Sequence, residues 1–196
     1  MNKLEGFYEL KRAGIPSVPW KKYDAGVALD DSMLWTIRSA VVSGPDLNLP
    51  RKVGVTAAEA KDFADHLTRE MKAYDLIVYY PFFVAEKSGV MEVTHTKTVV
   101  EAVKDDLWNL VTLNNKNVTI VVSGAEVSYV GDEHFVNKSE LTELLKYASM
   151  VKRRFRTILM EGKSVFLEWS YAYISDIDKL PVGNKKLIFY EIRSVV

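Results

Sequence analysis

Apolar positions in this chain follow two periods, and the changes between them mark out its elements. A short helix is expected from about Lys3 to Ala13, closed by Gly14 and kept from continuing by Pro16. An extended stretch, Val18-Pro19-Trp20, follows. Met33 to Ser39 alternates like a strand, with Leu34, Thr36 and Arg38 on one face and Trp35, Ile37 and Ser39 on the other. Residues 40–55 read as a loop, long for a compact domain. Thr56-Ala57-Ala58-Glu59 is a capping box, and Ala60, Phe63, Ala64, Leu67 and Met71 continue it at helical spacing. Period-two runs then come in close succession: Leu76 to Tyr80, Gly89 to Val93, Thr98 to Val103, Leu107 to Thr112 and Val118 to Ser123. Their Gly, Asn and Asp punctuation is that of an antiparallel meander. A long helix is expected from about Ser139 to Met160, its stripe carrying Leu141, Leu144, Leu145, Ala148, Val151, Phe155, Ile158 and Leu159, with Gly162 as its stop. Val165 to Tyr173 and Leu187 to Val195 read as two final strands joined by a polar loop.

This order of elements predicts an α+β fold with strands dominating the second half, and shows no internal repeat, low-complexity segment or linker. At 196 residues, 48% apolar and 11% aromatic, the chain can bury a substantial core. Twenty-six basic residues balance twenty-six acidic ones, which argues against a dedicated nucleic-acid or membrane-surface binder. The absence of cysteine excludes disulfides, thiolate metal sites and thiol nucleophiles, and His66, His95 and His134 lack ligand-like spacing. The N-terminal residues lack a signal-like apolar region and no run is long enough to span a bilayer, so the expectation is a cytoplasmic protein in which the sequons at Asn117 and Asn137 are chance matches.

Arg38 stands out as an arginine on an otherwise apolar strand, a position that calls for an anion beside it. Four segments in order then resemble one family. Lys3 to Pro19 contains a lysine-bearing helix and a Gly14-Ile15-Pro16-Ser17-Val18-Pro19 turn, as in many ATP-grasp proteins. Thr36-Ile37-Arg38-Ser39-Ala40 with Asp46-Leu47 and Gly54 is similar to the Val-Arg-Ser-Ser, Glu-Asp-Leu and Gly segment in the nucleotide-binding domain of phosphoenolpyruvate synthase and pyruvate phosphate dikinase. Ile77 to Met91 resembles their Val-Gln-X-Met-Val strand, acidic turn and Gly-Val-Met-Phe. Phe166-Leu167-Glu168-Trp169 and Phe189-Tyr190-Glu191-Ile192-Arg193 resemble the Asp-Ile-Glu-Trp strand and the final Leu-Gln-X-Arg-Pro strand.

The resemblance implies one ATP-grasp-like domain over 1–196, with lobes of about 1–75 and 76–196 that clamp ATP and Mg²⁺ between mainly antiparallel sheets. It implies Arg38 and Arg193 as the phosphate-holding, catalytic cations with Lys3 assisting, Glu168 and Glu191 as magnesium ligands, and Val78, Tyr80 and Phe82 beside the base. The residue types agree with it: a nucleoside triphosphate needs cations for phosphate, carboxylates for Mg²⁺ and an apolar slot for the base. Glu191 and Arg193, two apart, share a strand face, and Glu168 shares its own face with Phe166, Ser170 and Ala172. The implied activity is phosphoryl transfer from ATP to an acceptor such as a separate phosphocarrier domain. A carboxylate–amine ligase and a non-catalytic nucleotide-binding or regulatory protein stand as alternatives. Three positions depart from the family pattern: Glu191 replaces its glutamine before the last arginine, Lys104-Asp105-Asp106-Leu107 replaces its Gly-Leu-Gly-Glu turn, and Tyr80 stands where its hinge glutamine falls. Blander roles stand beside these: Lys3 as a solvated lysine, Arg38 paired with a buried carboxylate, and Glu168 with Arg193 as a cross-strand ion pair. Likewise Tyr79, Tyr80 and Pro81 could form an edge strand, the four tryptophans core, and Lys152 to Arg156 a solvated helix face.

Overall fold

The computed structural model describes residues 2–41, 49–70, 76–107, 110 and 115–195. Helix α1 (Lys3–Ala13) starts where the Asn2 side chain accepts from the Glu5 N–H and the Glu5 carboxylate accepts from the Asn2 N–H. It ends at Gly14, whose left-handed backbone (φ 67°) returns its N–H to the carbonyls of Leu10 and Lys11. Both ends fall where the sequence places them.

Two antiparallel sheets form the body of the fold. The smaller holds β1 (Lys21–Lys22), β2 (Trp35–Ala40), β3 (Arg51–Val55) and β4 (Leu76–Pro81), in the order β1-β4-β2-β3. Helix α2 (Ala57–Glu70), opened by the Thr56–Glu59 capping box, covers one face of it. Ala57, Ala60, Ala64 and Leu67 meet Trp35, Ile37, Ile77 and Tyr79 there. That is the face the alternation in β2 predicts for Trp35 and Ile37.

The larger sheet runs β10-β9-β5-β6-β7-β8. Its strands are β5 (Phe83–Val93), β6 (Lys97–Lys104), β7 (Val118–Ser123), β8 (Glu126–Gly131), β9 (Ser164–Ser175) and β10 (Pro181–Val195). Helices α1, α3 (Lys138–Arg154) and α4 (Arg156–Met160) lie on one of its faces. Leu10, Leu141, Leu144, Ala148, Val151, Phe155 and Leu159 bury themselves there against Met91, Val100, Ile120, Leu167, Trp169, Phe189 and Ile192. A third cluster, with Phe7, Val18, Val78, Tyr80, Phe83, Ala172 and Ile188, joins the two sheets. Only Phe82 separates β4 from β5, so the chain passes directly from one sheet into the other.

Several elements differ from the sequence expectation. The loop over 40–55 ends in a strand, β3, and residues 42–48, including the Asp46-Leu47 motif, lie outside the described residues. Leu107 is in a turn and Leu110 is helical, so the strand expected over 107–112 does not form there; its other positions lie outside the described residues, as does Met71. The single long helix is interrupted at Phe155 (φ −105°, ψ 24°), and the redirected α4 keeps Leu159 in the core. Strand β8 was not anticipated, because all six of its residues are exposed and it carries no one-sided apolar pattern. Among the described residues no helix is long and apolar enough to cross a membrane.

Candidate functional site

A cleft of about 470 Å³ opens between the two sheets. One wall is the face of the small sheet turned away from α2. With Trp35 and Ile37 in the α2 core, alternation sends Thr36 and Arg38 into the cleft. Arg38 pairs with Val78 across β2 and β4, which puts Tyr80 on the same face one step along. Burial works against the Arg38 charge. The Tyr80 oxygen, Glu191 and Glu168 more than offset it, leaving the guanidinium pKa above its ordinary value. Arg51, the β3 partner of Arg38 in register, also lines the cleft.

The opposite wall comes from β5, β9 and β10. Glu168 and Glu191 are register partners across β9 and β10. The register slips between Phe189 and Glu191, leaving Tyr190 as a bulge residue. Tyr190 and Glu191 therefore both line the cleft, while their neighbours Phe189 and Ile192 are fully buried in the core behind. Burial, and then the Glu191 charge, push the Glu168 carboxyl above the usual carboxylate range, against the opposing pull of Lys3, Arg193 and Arg38.

Lys3 reaches this pair from α1, its Nζ 3.1 Å from Glu191 Oε2. The approach depends on Gly6: a Cβ there would stand 2.7 Å from the Ile192 carbonyl oxygen, so only glycine lets α1 lie this close to β10. The remaining lining includes Phe82 and Phe83 at the sheet junction, Ser88 and Ser170 on the large sheet, and Asp106 and Leu107 from the turn after β6.

Of the residues singled out in the sequence, Lys3, Arg38, Tyr80, Phe82, Glu168 and Glu191 line one cleft. Two do not. Val78 is fully buried in the cluster that joins the sheets. Arg193 is half-exposed at the margin, its Nη1 3.8 Å from Glu191 Oε1, so its ion pair is with its strand neighbour rather than across to Glu168. Arg51, Ser88, Ser170, Asp106 and Tyr190 were not anticipated as lining residues. Serines among apolar neighbours on β5 and β9 were the one available signal for two of them. Among the described residues no group of three or more His, Cys, Asp or Glu side chains is placed to hold a metal by itself. The protein offers a facing carboxylate pair, and Mg²⁺ characteristically takes one or two carboxylates and completes its shell with substrate phosphate and water. The donor set fits that ion when it arrives with a phosphate ligand.

No protein-family model matches the chain. No curated protein matches it either. Among solved structures it is similar to an L-amino acid ligase from Bacillus licheniformis, at 11% identity and a TM-score of 0.48, over 97% of this chain and 39% of that one. It is also similar to the macrocyclase MdnC bound with precursor peptide MdnA from Microcystis aeruginosa MRC, at 10% identity and a TM-score of 0.41, over 97% of this chain and 51% of that one. The chain thus spans about half or less of the length of either.

Proposed function

We propose that the cleft binds a nucleoside triphosphate with Mg²⁺ in the ATP-grasp manner, and that the protein spends the nucleotide on activating a carboxylate for attack by an amine. The observation carrying the nucleotide reading is the pairing of Glu168 with Glu191 opposite Arg38, in a cleft between two sheets. Carboxylates for a hard cation and a guanidinium for phosphate oxygens then face one space, with Lys3 at its edge. When bound, the metal would neutralise phosphate charge. Arg38, beside Tyr80 on the same face, would orient the phosphates, and Phe82 and Phe83 would supply apolar surface for a base.

Arg51 favours carboxylate activation over transfer to a phosphocarrier. It is a second guanidinium in the cleft, exposed and next to Arg38 in register, and its fork suits an acceptor carboxylate. The turn at Lys104 to Leu107 weighs the same way. In the phosphoenolpyruvate synthase pattern this turn is glycine-rich, whereas here it presents the Asp106 side chain to the cleft, which disfavours phosphate. In the proposed reaction an acceptor carboxylate oxygen bonds to the γ-phosphorus and ADP leaves. The amine then displaces phosphate from the acyl carbon and loses a proton.

Calorimetry with ATP, with and without Mg²⁺, tests the first half. At 100 times its Kd a ligand adds about 2.7 kcal/mol to stability, so a thermal shift should accompany the heat. Hydroxylamine trapping in the presence of ATP, Mg²⁺ and a panel of carboxylic acids tests the second. A hydroxamate is the expected product. ATP binding without hydroxamate, but with phosphate passing to an added phosphocarrier histidine, would replace this reading with phosphotransfer. Binding with no turnover of any kind would leave a regulatory nucleotide-binding protein.

A further inference from the structure

The two sheets end in four edge strands, and three of them are protected against pairing with another chain. An open edge presents a row of unpaired N–H and C=O groups, which natural sheets blunt with short strands, lysines, prolines, bulges or a covering element. Strand β1 is two residues long and both are lysines. Strand β3 begins with Arg51-Lys52. Strand β10 starts at Pro181, carries Lys185 and Lys186, slips register between Val182 and Lys186, and runs beside α1. Strand β8, Glu126-Val127-Ser128-Tyr129-Val130-Gly131, has none of these devices. It pairs with β7 without a register slip and holds no Lys, Arg or Pro. Among the described residues no strand lies on its outer side. All six of its residues are exposed, Val130 at 72%.

The order of residues also says what fits this edge. Val127 and Tyr129 are the register partners of Val122 and Ile120, which belong to the helix-covered core, so β8 carries that apolar face out to the rim. Residues opposite each other on antiparallel strands project to the same side. A strand that pairs with its own copy about a two-fold axis therefore has a residue on the axis, and for β8 the central choices are Ser128 and Tyr129. Centring on Tyr129 sets Glu126 opposite Asp132 of the second copy, two like charges face to face. Centring on Ser128 sets Val127 opposite Tyr129 twice over, Glu126 opposite Val130, and Ser128 opposite itself. Only this second arrangement is free of repulsion, and its two aromatic–β-branched pairs are of the stabilising kind.

We propose that β8 is the seam of a homodimer, in which two copies of the chain join edge to edge, antiparallel and centred on Ser128, into one continuous sheet. Strands β6 and β7 stand between the seam and the strands that wall the cleft, so the proposal is independent of the nucleotide reading. One strand from each copy makes a small interface, and small interfaces are the weak ones, so the dimer should come and go with concentration.

Sedimentation velocity from micromolar to near-millimolar concentration should show a monomer–dimer equilibrium. Tyr129→Lys puts a charge on the seam and should weaken dimerisation at least tenfold. Its melting temperature, measured where the chain is monomeric, should match the parent's, because the side chain is exposed. Val127→Lys gives the same reading if that variant does not fold. The chain has no cysteine, so single cysteines report the register cleanly. Facing strand positions lie about 4.5–5.5 Å apart between Cα atoms, within the range of a disulfide. Ser128→Cys should therefore link two chains in air faster than Glu126→Cys does. A chain that is monomeric throughout, a dimer that the lysine variants leave intact, or linking no faster at position 128 than at 126 would each overturn the proposal.

Discussion

Glu168 and Glu191 stand directly opposite each other on β9 and β10, and the register slip beside them turns Tyr190 to the same side. Burial and then the Glu191 charge work against the Glu168 carboxylate, and neighbouring Lys3, Arg193 and Arg38 oppose them without bringing it back to the usual range. Such an arrangement is costly for an empty fold and favourable for one that takes up a divalent cation.

Glu168→Gln should therefore raise stability without ligand and remove the Mg²⁺ enhancement of nucleotide binding. The pH dependence follows from the raised pKa of Glu168. Its contribution is fully present below the ordinary carboxylate range and is lost as pH rises through the raised folded value. The gain of the Gln variant over the parent should accordingly grow as pH climbs through that window. Melting temperatures across pH, with ATP affinities with and without Mg²⁺, check both halves. A variant less stable than the parent throughout, with its Mg²⁺ response intact, would assign Glu168 to a structural ion pair.

A second polar cluster lies between the large sheet and α3, and its titration has the opposite sign. Glu140 is buried, accepts from Lys87 Nζ at 2.8 Å and is 3.3 Å from Lys185 Nζ. Burial opposes its charge, but Lys87, the Asn137 N–H and Lys185 prevail and hold the carboxyl below the usual range. Its stabilisation is present above the unfolded pKa and lost as pH falls through the lower folded value. Lys87→Met should cost about 3 kcal/mol, the low end for breaking a buried pair because Lys185 remains. Denaturant unfolding at neutral pH and again in acid, where the difference should shrink, measures it.

Arg51→Ala should leave stability within about 0.5 kcal/mol of the parent, since the residue is exposed on an edge strand. Nucleotide binding should persist while hydroxamate formation falls at least tenfold, one charged hydrogen bond being worth roughly 1.5–3 kcal/mol. Loss of nucleotide affinity in step with turnover would move Arg51 to the phosphate set.

Gly6→Ala would place a methyl group against the Ile192 backbone. Overpacking costs about 1–3 kcal/mol, and the gain of roughly 1 kcal/mol in helix propensity only partly offsets it. Because α1 carries Lys3, the variant should also lose nucleotide affinity beyond its loss of stability. Affinity measured well below the melting transition separates the two effects.

Much of this was legible from residue order because local rules agreed with the tertiary outcome. Strict alternation in β2 was enough to put Arg38 opposite the α2 face, and the Asn2 and Thr56 caps lie next to the helices they start. Tyr190 was hidden for the converse reason: a bulge breaks period two, and nothing in Phe189-Tyr190-Glu191 announces the slip. Arg51 sits in a short strand whose first three residues are exposed, so no apolar periodicity marked it. The hydrogen bonds that join Ser88 to Ser170 and to the Asp105 carbonyl link three separate segments, and the sequence indicates only that serines occupy apolar strands.

The Lys3–Glu191 contact joins helix α1 to strand β10, 188 residues apart in sequence. A ribosome making this segment exposes Lys3 before Glu168, and Glu168 before Glu191. The cleft is then a late product of folding, because its acidic pair is complete only when β10 docks along β9 and under α1. Closing so wide a loop is entropically slow, and contacts of this sequence separation lower folding rates generally. Nascent chains halted before β10 should present the sheet edge of β9 and no binding activity, so competence would arrive in one step with β10.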